Sequence, residues 1–154
     1  MEFLSKLEKE LIKDNKIIAG VDEVGRGSLI GPVVTCAFII DNSFNIYVKD
    51  SKVLSEKKRN EIFLDLISRN TNFSLGLSTH EEIDELNILD ATRLAMLRAV
   101  NNLKIKPNIL LIDGNQKINS DIKQICIPKG DTICKSIAAA SIIAKVIRDF
   151  IMKR

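Results

Sequence analysis

The chain has 154 residues, 45% hydrophobic and 28% charged, the balance of one soluble globular domain (1–154) with room for a single core. Lys and Arg number 23 against 20 Asp and Glu, and this net charge of +3 neither demands nor excludes a polyanionic partner. Three cysteines without a C-x-x-C argue against a disulfide framework or a zinc cluster, and a lone histidine, His80, rules out any mechanism that needs two.

The N-terminus MEFLSKLEKELIKDN is charged and amphipathic, unlike a signal sequence, and Phe3, Leu4, Leu7 and Leu11 predict a short leading helix. No apolar run approaches the roughly 18–20 residues of a membrane span. A reduced cytoplasmic setting with no membrane partner is the expectation. KIIAGVDE (16–23) reads as a strand that ends in two acids, Gly25-Arg26-Gly27 as a turn, and PVVTCAFII (32–40) as a second strand. With no helix between them, these strands should form a hairpin. Ser55 is a good N-cap for a helix over 55–70 with Ile62, Phe63, Leu66 and Ile67 as its apolar stripe. NFSLGLST is a third strand, and Thr79 with Glu82 makes a capping box for a short helix beside which His80 lies. From Ile88 to Leu103, the positions Leu89, Met96, Val100 and Leu103 mark one helical face. NILLID (108–113) and QICIP (124–128) are further strands. Ile133, Ile137, Ala140, Ala144, Ile147 and Ile151 predict a long terminal helix. The whole reads as α/β, a mixed central sheet covered by helices.

Three acids occupy one kind of place, the carboxyl end of a buried strand: Asp22 and Glu23 after KIIAGV, and Asp113 after NILLI. Strand carboxyl ends face the ligand crevice in open α/β sheets. If the two strands lie side by side, Asp22 and Asp113, 91 positions apart (113 − 22), meet at one edge. Neighbouring strand residues point to opposite faces, so Asp22 and Glu23 reach one site only if the chain turns there. Asp131, in the Lys129-Gly130-Asp131 turn, is a fourth candidate, though it reads equally as an ordinary acid at a helix N-terminus. Clustered carboxylates repel unless cations neutralise them, and without a His/Cys set the natural cations are Mg²⁺ or Mn²⁺. Two such ions would balance four carboxylates and bracket the attacking and leaving oxygens of a phosphodiester. Gly25, Gly27 and Gly31 miss the dinucleotide spacing and precede a strand, so no nucleotide cofactor is expected. The basic groups Lys49/Lys52, Lys57-Lys58-Arg59 and Lys145/Arg148/Lys153/Arg154 read as solvated faces, and the cysteines as small apolar residues.

The blocks GVDEVGRG, GPVV, DSKVLSEKKR, ELNILDATRLAMLRAV, LIDGN, KGD and SIAAASIIAKVIRD, in that order from about Ile17 to Met152, closely resemble type 2 ribonuclease H, the bacterial ribonuclease HII family. The resemblance implies an RNase H-like fold and endonucleolytic cleavage of RNA in RNA–DNA hybrids, including single ribonucleotides embedded in duplex DNA. It implies cutting that leaves 5′-phosphate and 3′-hydroxyl ends. Position by position, it places the metal-binding carboxylates on Asp22, Glu23, Asp113 and Asp131, and the element reading the ribose 2′-hydroxyl on Gly25, Arg26 and Gly27. Ser51, Lys52, Ser141 and Lys145 fall in matching blocks as backbone contacts, whereas Asp149 is better read as a structural pair with Arg148 or a nearby turn. The family's C-terminal tyrosine region has no counterpart before Arg154, and a monomer is expected. The alternatives are a catalytically weak or inactive hybrid-binding module and, further off, a small-nucleotide-binding protein using the Gly25–Gly31 loop.

Overall fold

β1 (Ile18–Val24) is the central strand because it is apolar on both faces and finds a partner on each edge. The computed structural model describes residues 3–27, 30–48, 53–69 and 72–153. β1 pairs antiparallel with β2 (Val33–Ile40) from Ile18↔Ile40 to Val24↔Val34, the hairpin that the short connection predicts. β3 (Asn72–Ser78) continues antiparallel on the far edge of β2. On its other side β1 runs parallel to β4 (Ile109–Asp113) in the register Ile18↔Ile109 to Val21↔Ile112, and β5 (Lys123–Ile127) lies parallel beyond. The order β3-β2-β1-β4-β5 is a mixed sheet; the long crossover that the parallel pair β1–β4 needs runs through helices, whereas residues 114–122 join β4 to its parallel neighbour β5 without one.

The helices are α1 (Lys6–Lys13), α2 (Glu56–Ser68), α3 (His80–Leu86), α4 (Ile88–Asn101) and α5 (Lys135–Met152). Strand alternation divides the apolar residues into two cores. Ile18, Val34, Phe38 and Leu111 face one side with Ile137, Ala140 and Ile143 of α5 and with Ile62 and Leu66 of α2. Ala19, Val21, Leu110 and Ile112 face the other with Met96, Ala99 and Val100 of α4. Phe38 is wholly buried, so its truncation to Ala would cost about 3–5 kcal/mol. α5 lies directly on β1 because Gly20 has no side chain: a Cβ there would collide with the backbone of Ser136 and Ile137. This contact ties the most apolar helix to the strand that carries Asp22.

Several expectations shift in detail. The deepest face of α4 is Ala91, Ala95 and Ala99 with Met96 and Val100, while Leu89 and Leu103 are only half-buried. Small residues win there because α4 sits against Gly76 of β3, and the buried Thr35 hydroxyl donates to the Ala95 carbonyl at 2.7 Å. Ile67 is exposed on α2 while Ile62 and Leu66 carry the packing. Ile133 is 52% exposed and precedes α5, because Gly130–Thr132 forms a separate 3₁₀ turn and the helix proper starts two residues after Ile133.

α1 has a feature that its periodicity does not announce. Ser5 and Glu8 make a reciprocal capping box. The same Glu8 carboxylate, fully buried, accepts from the main-chain N–H groups of Lys135 at 2.9 Å and Ser136 at 2.7 Å. These are donors at the start of α5 that no helical carbonyl reaches. One acid therefore joins the first helix to the last.

Candidate active site

Asp22, Glu23 and Asp113 each bring a carboxylate oxygen within 4.8 Å of the others. The parallel β1–β4 register carries the offset of 91 seen in Asp22 and Asp113, so Asp22, two residues before the end of β1, lies beside Asp113, the last residue of β4. Both share the parity of Ile18 and Ile109, which face α5. Glu23 has the opposite parity, and no turn separates it from Asp22: β1 keeps pairing with β2 through Val24↔Val34. The two meet because β4 ends at Asp113 and Gly114 (φ +107°) leads the chain away, so no neighbouring strand divides the two faces at this level. The Glu23 N–H donates to the Asp22 carboxylate at 2.8 Å and fixes its orientation.

Asp131 reaches the same cleft from another direction. The Gly130 N–H donates to the Asp113 carboxylate at 2.6 Å, fastening the 3₁₀ turn to the end of β4. Lys129 takes a left-handed conformation (φ +54°) to enter that turn. Asp131 is 6% exposed and precedes α5 by a full turn, so it is not a first-turn acid of the long helix. It lies outside the three-residue cluster but lines the same cleft.

The electrostatics follow from this crowding. Asp22 is only 4% exposed. Burial first, then the charges of Asp113 and Glu23, and finally that of Asp131, push its carboxyl well above the usual carboxylate range; the single Glu23 N–H opposes them only in part. A site that is all oxygen, acidic and poorly compensated fits a hard divalent cation, and no histidine or cysteine joins the cluster among the described residues.

The cleft has a volume of about 290 Å³ and is lined by the four acids with Val24, Arg59, Ser141 and Lys145. Ser141 and Lys145 stand one turn apart on α5 and so present to the same side. Lys145 also pairs with Asp149 at 3.0 Å, so the partner of Asp149 is Lys145 and not Arg148. Arg59 is the residue that sequence reasoning missed: it sits with Lys57 and Lys58 in sequence, but its neighbours are exposed and it turns into the cleft, with its guanidinium donating to the Leu54 carbonyl at 3.1 Å. Its spacing within the basic run carries no sign of this.

Arg26 and Gly27 are exposed at the tip of the turn after β1, and Arg26 borders a second, small hollow with Glu23, Asp113 and Arg93. Ser51 and Lys52, like Lys49, Asp50 and Arg154, lie outside the described residues. Arg148 departs from the solvated face expected of it: it is 8% exposed. His80 does face solvent, beside Glu81 and Asp84. Burial, and then the Asp22 charge, push the Cys36 thiol well above its usual range, leaving it a neutral apolar residue. Among the described residues no helix is long and apolar enough to cross a membrane.

This arrangement has counterparts among known proteins. Residues 19–154 match the family model described as ribonuclease HII. The ribonuclease HII of Orientia tsutsugamushi (strain Ikeda) is 51% identical over 140 residues, covering 90% of this chain and 67% of that protein. That of Ligilactobacillus salivarius (strain UCC118) is 48% identical over 150 residues, covering 96% of this chain and 58% of its own length. The crystal structure of the ribonuclease H2 from Pyrococcus horikoshii OT3 superposes with a TM-score of 0.75 at 33% identity, covering 89% of this chain and 74% of that one. The chain thus spans 58% and 67% of the length of the two sequence relatives, and its mixed sheet flanked by helices is the RNase H-like fold. With the family model covering nearly the whole chain and relatives near half identity, the chain belongs to the ribonuclease HII family.

Proposed function

We propose that this chain is an endoribonuclease that cleaves the RNA strand of RNA–DNA hybrids, and single ribonucleotides embedded in duplex DNA, leaving 5′-phosphate ends. The observation that carries the reading is the convergence of Asp22, Glu23 and Asp113 within 4.8 Å at the ends of two parallel strands, in a member of this family. Residues 1–154 act as one catalytic domain, as a monomer in the cytoplasm, with no nucleotide cofactor.

Asp22, Glu23, Asp113 and Asp131 would hold two divalent ions, Mg²⁺ or Mn²⁺. Such ions, when bound, supply Lewis-acid stabilisation of the charge that develops on the phosphodiester. The chain's own residues do the rest. Asp22 and Asp113, fixed by the Glu23 and Gly130 N–H groups, keep their oxygens in place with little reorganisation. Ser141, Lys145 and Arg59 line the wall across which the scissile strand would pass, and offer hydroxyl and cationic donors to phosphate oxygens. Ser51 and Lys52 are assigned the same backbone-contact role. Gly25, Arg26 and Gly27 read the ribose: glycine lets the main chain approach a 2′-hydroxyl, the group that separates RNA from DNA at one position.

The test is cleavage of three labelled duplexes, a uniform hybrid, a DNA duplex with one ribonucleotide, and all DNA, in Mg²⁺ and in Mn²⁺. Cutting of the first two with 5′-phosphate ends is expected. Absence of cutting in either metal by a folded protein rejects the reading.

A further inference from the structure

Arg148 is the most deeply buried basic side chain of α5, and its hydrogen bonds go to main-chain carbonyls of the segment that follows the Gly-Arg-Gly turn. Nε donates to the Pro32 carbonyl at 2.9 Å and Nη2 to the Ile30 carbonyl at 2.8 Å. The same side chain covers Gly25, which has φ +103°: a Cβ there would collide with Arg148 Nε and stand 2.7 Å from the Pro32 carbonyl oxygen. At the other end Gly31 has φ +85°, and a Cβ would strike the Met152 sulfur and stand 3.2 Å from Arg148 Nη2. Arg148 and Met152 are one helical turn apart, so a single face of α5 holds both glycines.

That face belongs to the helix that presents Ser141 and Lys145 to the acidic cleft and rests on β1 at Gly20. The turn carrying Arg26 is therefore referenced to the same rigid element as the cleft wall. Left to itself a glycine-rich turn is conformationally loose. Distinguishing a hydroxyl from a hydrogen needs donors and acceptors held to about 0.5 Å.

We propose that Arg148, assisted by Met152, is a positioning residue that locks the Gly25–Gly27 turn and Ile30–Pro32 onto α5 and so sets how sharply that turn tells a ribonucleotide from a deoxyribonucleotide. The discrimination half of this statement rests on the nuclease reading above; the lock itself does not. Arginine suits the task because its rigid fork serves two carbonyls in fixed directions, whereas a lysine ammonium is a single point donor. Loss of the fork removes both of these bonds and lets the turn drift.

Two variants of the whole chain, Arg148→Lys and Met152→Ala, give two readouts each. The first is hydrogen exchange of the free protein at residues 25–27 and 30–31, compared with β1. The second is the affinity ratio between a single-ribonucleotide duplex and an all-DNA duplex, measured in Ca²⁺ to suppress cutting. In Arg148→Lys, exchange in the turn should accelerate while β1 stays protected, and the affinity ratio should fall by about tenfold, the equivalent of one charge-assisted hydrogen bond. Met152→Ala should move both readouts the same way and less far, and it decides the matter if Arg148→Lys does not fold. Unchanged exchange in the turn overturns the lock. A loosened turn with the wild-type affinity ratio overturns its role in discrimination. A wild-type protein that binds the two duplexes equally overturns the nuclease reading of the turn together with the discrimination role, and the exchange result still judges the lock.

Discussion

Among the carboxylates almost sealed from solvent, Glu8 and Asp22 are treated in opposite ways. Glu8, on α1, is fully buried and accepts three main-chain N–H groups, from Ser5, Lys135 and Ser136. Asp22, near the end of β1, is 4% exposed, accepts the Glu23 N–H, and faces Asp113, Glu23 and Asp131. Oriented amides and the N-terminal end of α5 stabilise the first charge. The second is left for a cation from outside to neutralise. The comparison separates a buried acid that holds the fold from one that the fold holds in reserve, and burial alone would not tell them apart.

The strongest way to break this contrast is to neutralise the reserved charge. Asp22→Asn and Asp113→Asn should each lower cleavage on the order of a hundred- to a thousandfold, the size typical of losing one fixed electrostatic contributor, and Asp131→Asn should also lower it severely. Steady-state rates on a single-ribonucleotide duplex, with circular dichroism to confirm folding, check this. Any of the three cutting at near wild-type rate loses its assignment. Glu8→Ala should do the reverse and remove about 2–4 kcal/mol of stability, because it strands buried N–H donors at both helices. Urea denaturation measures it, and a loss below about 0.5 kcal/mol would show that water replaces the carboxylate.

The pH dependence sharpens the same point. The Asp22 pKa is raised on folding above the ordinary 3.8. Below that value the group is protonated in both states. As pH rises, the unfolded chain ionises first, so the stability contributed by protonated Asp22 is lost as pH climbs through the folded pKa. In chelator, the melting temperature should therefore fall as pH rises above the ordinary 3.8, less so in Asp22→Asn, which should also melt higher at neutral pH. Added Mg²⁺ should reverse the fall in the wild type. A flat wild-type profile would mean that the acids are better solvated than their crowding implies.

A carboxylate nearer the surface provides the small-effect control. Glu82 forms a paired set of hydrogen bonds with Arg98, at 2.7 and 2.6 Å, near the surface. That pair, helped by the Thr79 N–H, lowers its pKa to about 2. Its contribution is present above the ordinary 4.5 and is lost as pH falls toward 2. Because solvent screens the pair, Arg98→Ala should cost less than about 1 kcal/mol at pH 7, and nothing measurable in cleavage. A loss as large as that of Glu8→Ala would show that exposure is a poor guide here.

The strand-ending acids were legible in sequence because they depend on local pattern. An apolar run stopped by Asp or Glu marks the end of a buried strand, and the shared offset of 91 became a contact once β1 and β4 paired in parallel. The caps at Ser55 and at Thr79 with Glu82 were legible for the same reason, since each involves residues three apart. Glu8, Arg59 and Arg148 were not. Each looks like an ordinary charge on an amphipathic helix, and what distinguishes it lies far away in the chain: Glu8 meets residues 127 and 128 positions on, and Arg148 meets carbonyls 116 and 118 positions back. Hydrophobic periodicity says which face of a helix is turned inward, but not which long polar side chain can bend around that face to reach a main-chain group. Sequence alone determined the elements and the acids at their ends, because those follow from residue-by-residue geometry. Only the tertiary structure decided which buried charges are satisfied and which wait for a cation, because that depends on donors brought within about 3 Å by packing.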